Sequence, residues 1–186
     1  MTHRALVICG LVGLGCFYVF TLVYLSLMSV DFIYRGRIEA ILSGPSYQDG
    51  QRVTITQRRH FIRGWSGPEP SGVWSIGRRA TIAVSFGHRP DGDLQLSVQA
   101  IGFTAVKGQQ QVVDILANGH LLGTWRYDHG QGPSLNTVRI SRDIVNDDGL
   151  VLIDFRFCCP ERPRRSRDAR LLGLHLVDFR ISVTPS

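Results

Sequence analysis

The stretch Asp93–Phe103, DLQLSVQAIGF, alternates plainly from Asp93 to Ala100. Leu94, Leu96, Val98 and Ala100 take one side of a two-residue period, and Asp93, Gln95, Ser97 and Gln99 take the other. Successive side chains of an extended chain point to opposite faces, so this stretch reads as a strand with one buried and one wet face. A helix would repeat its apolar residues three and four apart, and a strand of a parallel sheet would read as one continuous apolar run. Antiparallel sheet is the pattern that fits.

Working outward, apolar or β-favouring runs recur at RVTIT, RATIAVSFG, QVVDILANGHLLGTWRY, NTVRIS, GLVLIDFRF and LLGLHLVDFRISV, separated by Gly, Pro, Asn and Asp. Within ILANGHLLGTW, Asn118 and Gly119 can both take positive φ, as a two-residue hairpin turn requires, so Ile115 to Trp125 is expected to be a hairpin. Short strands at this spacing, with no long helices between them, predict an all-β fold: an antiparallel β-sandwich rather than a parallel sheet. No internal repeat or low-complexity tract interrupts it.

The amino terminus is different in kind. Ala5 to Val30 runs 26 residues without a charge. As a helix it would extend about 39 Å at ~1.5 Å per residue, enough to cross a hydrocarbon core of about 30 Å. A cleaved secretory signal has a shorter apolar region and a small-residue cleavage site, which LSLMSVDF does not offer. A lipoprotein box at Cys16 lacks its leucine. The sequence therefore predicts an uncleaved membrane anchor over residues 1–37, with a transmembrane helix at about 5–30, and a domain over residues 38–186. DFIYRGRIEAILSG reads as a short helical connector ending near Gly44-Pro45. Arg4 before the helix and Arg35 and Arg37 after it do not fix orientation by charge. The expected arrangement is a single-pass protein of a bacterial inner membrane with its carboxy-terminal domain in the periplasm.

Cys9 and Cys16 fall within the anchor, while Cys158 and Cys159 are adjacent. No spacing resembles a disulfide framework or a zinc site. The net charge is +6, and Lys107 is the only lysine. The densest cationic run is RFCCPERPRRSRDAR, where Arg156, Arg162, Arg164, Arg165, Arg167 and Arg170 face only Glu161 and Asp168. Such a run could meet anionic lipid or an acidic polymer, or only water. Nucleic acid is not an expected partner, because no aromatic residue interleaves with the arginines after Phe157 and no DNA- or RNA-binding motif surrounds them.

GWSGPEPSGVWSIG, Gly64–Gly77, spends two tryptophans on an entry loop whose end feeds the next strand. Its residues Ser66, Gly67, Pro68, Glu69, Gly72, Trp74 and Ser75, then Asn118-Gly119, then Asp168, Arg170, Leu172 and Gly173, resemble the small β-sandwich modules attached to bacterial cell-envelope phosphoglycerol transferases and glycosyltransferases. The resemblance runs from about Arg52 to Val183. It implies a jelly-roll-like fold working in envelope polysaccharide synthesis or glycan modification, with no catalytic residue of its own. This chain departs from the pattern in lacking a transferase domain and in carrying the arginine-rich insertion before Asp168.

Sugars stack their C–H faces on aromatic rings and pair their hydroxyls with carboxylates, amides and guanidinium groups. Trp65, Glu69, Trp74, Asp168 and Arg170 would supply both kinds of contact and form the candidate ligand site. Trp65, flanked by Gly64 and Ser66, is the one expected to be exposed. Trp74 at a strand start reads more readily as core packing than as a platform, and Glu69 with Arg170 could be an ion pair that locks the loop. Trp125 and Tyr127 share a face as a reserve platform or as core. The histidines at 3, 60, 88, 120, 129 and 175 show no metal-ligand spacing, and no nucleophile elbow, HExxH or phosphate loop is present. Asp128-His129 and Asn146-Asp147-Asp148 could each offer a calcium ligand or half of an acid–base pair, but each is also what an ordinary turn contains. The expectation is a non-catalytic chain without cofactor or metal that holds an envelope glycan. The alternative is an accessory subunit that docks on a membrane transferase.

Overall fold

The computed structural model describes residues 19–21, 23, 32–164 and 166–184. The chain divides into two compact units, Met1–Arg37 and Ile38–Ser186. In the first, residues 19–21, 23 and 32–37 are helical. Apart from residues 19–21 and 23, the expected anchor at about 5–30 lies outside the described residues. Among the described residues no helix is long and apolar enough to cross a membrane.

The second unit carries ten described strands: β1 (Val53–Thr54), β2 (Phe61–Arg63), β3 (Val73–Ile76), β4 (Arg79–Ser85), β5 (Leu94–Gly102), β6 (Gln110–Ala117), β7 (His120–Asp128), β8 (Ser134–Ile140), β9 (Leu150–Phe157) and β10 (Leu172–Val183). They form two five-stranded sheets. One has the order β1-β10-β5-β8 with β3 also on β10, and the other the order β2-β4-β9-β6-β7. Every pairing is antiparallel. From β3 onward, the strands fall as 3-10-5-8 and 4-9-6-7, the winding of a double-sheet jelly roll. The fold is a β-sandwich.

The alternation of β5 does what its sequence predicts. Leu94, Leu96, Val98 and Ala100 are fully buried, and they join Ile82, Ile115, Ile153, Phe155, Leu174, Leu176, Phe179 and Ile181 in one core drawn from both sheets. Burying each large aliphatic side chain stabilises the fold by roughly 1.5–3 kcal/mol. Trp125 and Tyr127 belong to this core and are not a platform. The hairpin forms as expected, with Ala117 opposite His120 and positive φ at Asn118 (47°) and Gly119 (88°). Asn118 does more than turn the chain. Its Nδ2 donates to the carbonyls of Ile144 and Leu150, and its Oδ1 accepts from the Leu152 amide, tying the hairpin tip to β9.

One irregularity sets up the site. Leu176 pairs with Ala100 but Asp178 pairs with Gln99, so Val177 is an extra residue bulged out of β10. Before the bulge Leu174 and Leu176 face the core and His175 faces outward; after it Phe179 and Ile181 face the core and Asp178 and Arg180 face outward.

Candidate functional site

The two tryptophans of the entry loop go to opposite places. Trp65 lies edge-on to Phe61 and Phe155, with ring centroids 5.6 and 5.8 Å away, and its indole N–H donates to the Thr81 carbonyl at 2.8 Å. It is half-buried and packs against the core, which corrects the expectation that it would be the exposed one. The cause is local. Gly64 at φ +72° passes so close to β4 that a Cβ there would stand 2.1 Å from the Arg79 carbonyl, and the tight passage delivers the next side chain between the sheets.

Trp74 is the outward one. It sits on β3 opposite His175 of β10, on the face of the sheet turned away from the core. Its ring tilts at 47° over the His175 imidazole, 4.6 Å between centroids, and meets Phe103 edge-on at 5.7 Å. The indole N–H donates to Glu69 Oε2 at 3.2 Å. Glu69 is presented by a tight turn in which Glu69 and Gly72 exchange both backbone hydrogen bonds. Gly72 is obligatory there, since a Cβ would fall 2.3 Å from the Leu176 carbonyl and 3.0 Å from His175 Cε1.

The second half of the site arrives from the loop before β10. Arg170 donates from Nε to Asp168 Oδ1 at 2.9 Å and from Nη2 to Asp168 Oδ2 at 2.7 Å, a fork-on-carboxylate pair, and from Nη1 to Glu69 Oε1 at 3.2 Å. The Arg170 fork holds the Asp168 carboxyl below its ordinary range, and Asp168, with help from Glu69, pushes the guanidinium up. The fold therefore brings together Glu69, Trp74, Asp168 and Arg170 and leaves Trp65 out. Trp74, Glu69 and Arg170 are each half-buried like Trp65, but here an aromatic ring and both signs of charge lie side by side away from the core.

Sequence reasoning missed Phe103 and His175. Phe103 continues the wet parity of Gln95, Ser97 and Gln99, and an aromatic on a wet face is the signal that was available. His175 stood out only as a lone polar residue in an apolar run. It is 4% exposed, its Nδ1 has no hydrogen-bond partner, and burial lowers its pKa against the opposing pull of Glu69. Among the described residues, no group of three or more His, Cys, Asp and Glu could hold a metal ion. Cys158 and Cys159 are exposed free thiols.

No family model and no curated protein matches the chain. Solved structures with a similar outline include the CBM36-1 domain of a multidomain xylanase from the hindgut metagenome of Trinervitermes trinervoides, at 13% identity and TM-score 0.43, covering 74% of this chain and 100% of that one. The CBM22-1 xylan-binding domain from Paenibacillus barcinonensis is another, at 8% identity and TM-score 0.47, covering 76% of this chain and 99% of that one. These values are too low to transfer the role of any residue.

Proposed function

We propose that the domain is a non-catalytic glycan-binding module whose sugar-stacking residue is Trp74. One observation carries this reading: an outward tryptophan, flanked by Phe103, shares a corner with Glu69, Asp168 and Arg170. A sugar ring needs an aromatic face for its C–H surface and polar partners for its hydroxyls within one ring's width, and this corner supplies both. Asp168 is poorly placed to act as a general acid. A general acid needs a raised pKa near neutrality, whereas Asp168 is held low by Arg170. Expected also from the sequence are a single-pass anchor at residues 5–30, a periplasmic domain, and work on envelope polysaccharide beside a membrane transferase.

The test is a titration of the full chain with bacterial envelope glycans, in a detergent without a sugar headgroup, read by tryptophan fluorescence and heat. Saturable binding that Trp74→Ala abolishes supports the reading. Absence of binding, together with co-purification of a membrane transferase, would replace it with the accessory-subunit reading.

A further inference from the structure

The open face that carries Trp74 does not end there. From Phe103, just past the end of β5, the outward positions of that strand run Ile101, Gln99 and Ser97, and along β10 they run His175 and then, past the bulge, Asp178 and Arg180. Asp178 pairs with Gln99 and Gln99 with Leu135, while Arg180 pairs with Ser97. Here the face is concave. A groove of roughly 250 Å³ is lined by Arg52, Ser97, Gln99, Leu135, Asp178 and Arg180. From Ile101 to Ser97 the strand advances about 13 Å, so groove and tryptophan corner lie on the same face of the sheet at a separation greater than a single sugar ring.

The lining selects its occupant. A protein partner would look for an aromatic or aliphatic centre, and the groove offers only Leu135, 65% exposed, at its β8 wall. A single-stranded nucleic acid would look for stacking rings, and none line it. What the groove does offer is an amide, a hydroxyl and a carboxylate at strand spacing, with one aliphatic wall, which suits a polyol. The charges refine this. Arg52 donates to Asp178 at 2.6 Å, so that acid is already answered. Arg180 is exposed, and among the described residues no carboxylate pairs with it. A guanidinium forks onto a planar carboxylate more readily than onto neutral hydroxyls.

Resting on the glycan-binding reading of the Trp74 corner, we infer that this groove is a second subsite on the same face and that it takes a uronic-acid residue of a linear acidic glycan, with Arg180 reading the carboxylate. Trp74 provides stacking, and Arg180 provides selection between acidic and neutral chains.

The test compares acid and methyl-ester forms of the same oligosaccharides, using tetramers of galacturonate, mannuronate, guluronate and hyaluronate against the full chain in sugar-free detergent. One acidic tetramer is expected to bind at least tenfold more tightly than its ester. Arg180→Gln should reduce that ratio below about threefold, whereas Trp74→Ala should weaken acid and ester alike. Equal affinity for acid and ester, or a preference that survives Arg180→Gln, overturns the subsite and leaves the Trp74 reading standing. Displacement by polyglutamate as effective as by the tetramer also overturns it, since the groove would then read charge alone. Failure of every acidic, esterified and neutral glycan to bind overturns both.

Discussion

Arg170 Nη1 lies 3.2 Å from Glu69 Oε1, joining residues 101 apart in the chain across the mouth of the tryptophan corner. Glu69 gives its other oxygen to the Trp74 indole, so one carboxylate fixes both the ring and the guanidinium. Both side chains of the pair are 36% exposed, so the bridge contributes only about 0–1 kcal/mol to stability. Its effect is on orientation. Glu69→Gln is expected to leave the thermal midpoint within a few degrees while weakening glycan binding severalfold, as measured by calorimetric titration beside a melting curve.

The tryptophans should separate cleanly. Trp65→Ala empties a half-buried slot against Phe61 and Phe155 and strands the Thr81 carbonyl, so a loss of about 3 kcal/mol is expected in urea unfolding. Trp74→Ala removes an outward ring and should cost the fold about 1 kcal/mol or less while abolishing binding. A larger stability loss for Trp74→Ala than for Trp65→Ala would reverse the assignment.

Asn118→Ala should destabilise by about 2–3 kcal/mol, because three hydrogen bonds to the chain around β9 disappear and alanine resists positive φ. Asn118→Gly keeps the turn but loses the bonds. It is expected to fall between alanine and wild type in chemical denaturation.

Acid sensitivity follows from two buried imidazoles. His60 and His175 both have lowered pKa values, burial being the main cause in each, so the unfolded chain binds their protons more readily than the native one. Their stability contribution is full above the unfolded value of about 6.5 and is lost as pH falls from there through the folded values. The urea midpoint should therefore drop between pH 7 and pH 5. His60→Asn and His175→Asn should each flatten that slope, whatever they do to the midpoint at pH 7.

What the sequence disclosed depended on range. Strand parity in β5 and the Asn118-Gly119 turn are local properties, determined by residues one or two apart, and both are read correctly from the order of residues. The loop that holds Trp65 and Trp74 is governed instead by close approaches: Gly64 to the Arg79 carbonyl, and Gly72 to Leu176 and His175. Neither contact leaves a periodic trace, which is why the wrong tryptophan was expected at the surface. Glu69, Trp74, Asp168 and Arg170 were legible as residue types suited to one corner; that Phe103 and His175 flank the ring depends on which strands become neighbours.

The extra residue at Val177 works as a phase change. Just upstream of it Leu174 and Leu176 look inward and His175 outward, and downstream the even-numbered positions Asp178 and Arg180 look outward. Deleting that single residue would not merely straighten the strand. It would transpose the carboxy-terminal half of the strand, sending Phe179 and Ile181 to water and Asp178 and Arg180 into the core. Aromatic corner and polar groove share a face only because the chain skips one beat between them. The spacing from His175 to Asp178 is therefore expected to tolerate substitution far better than any change in length.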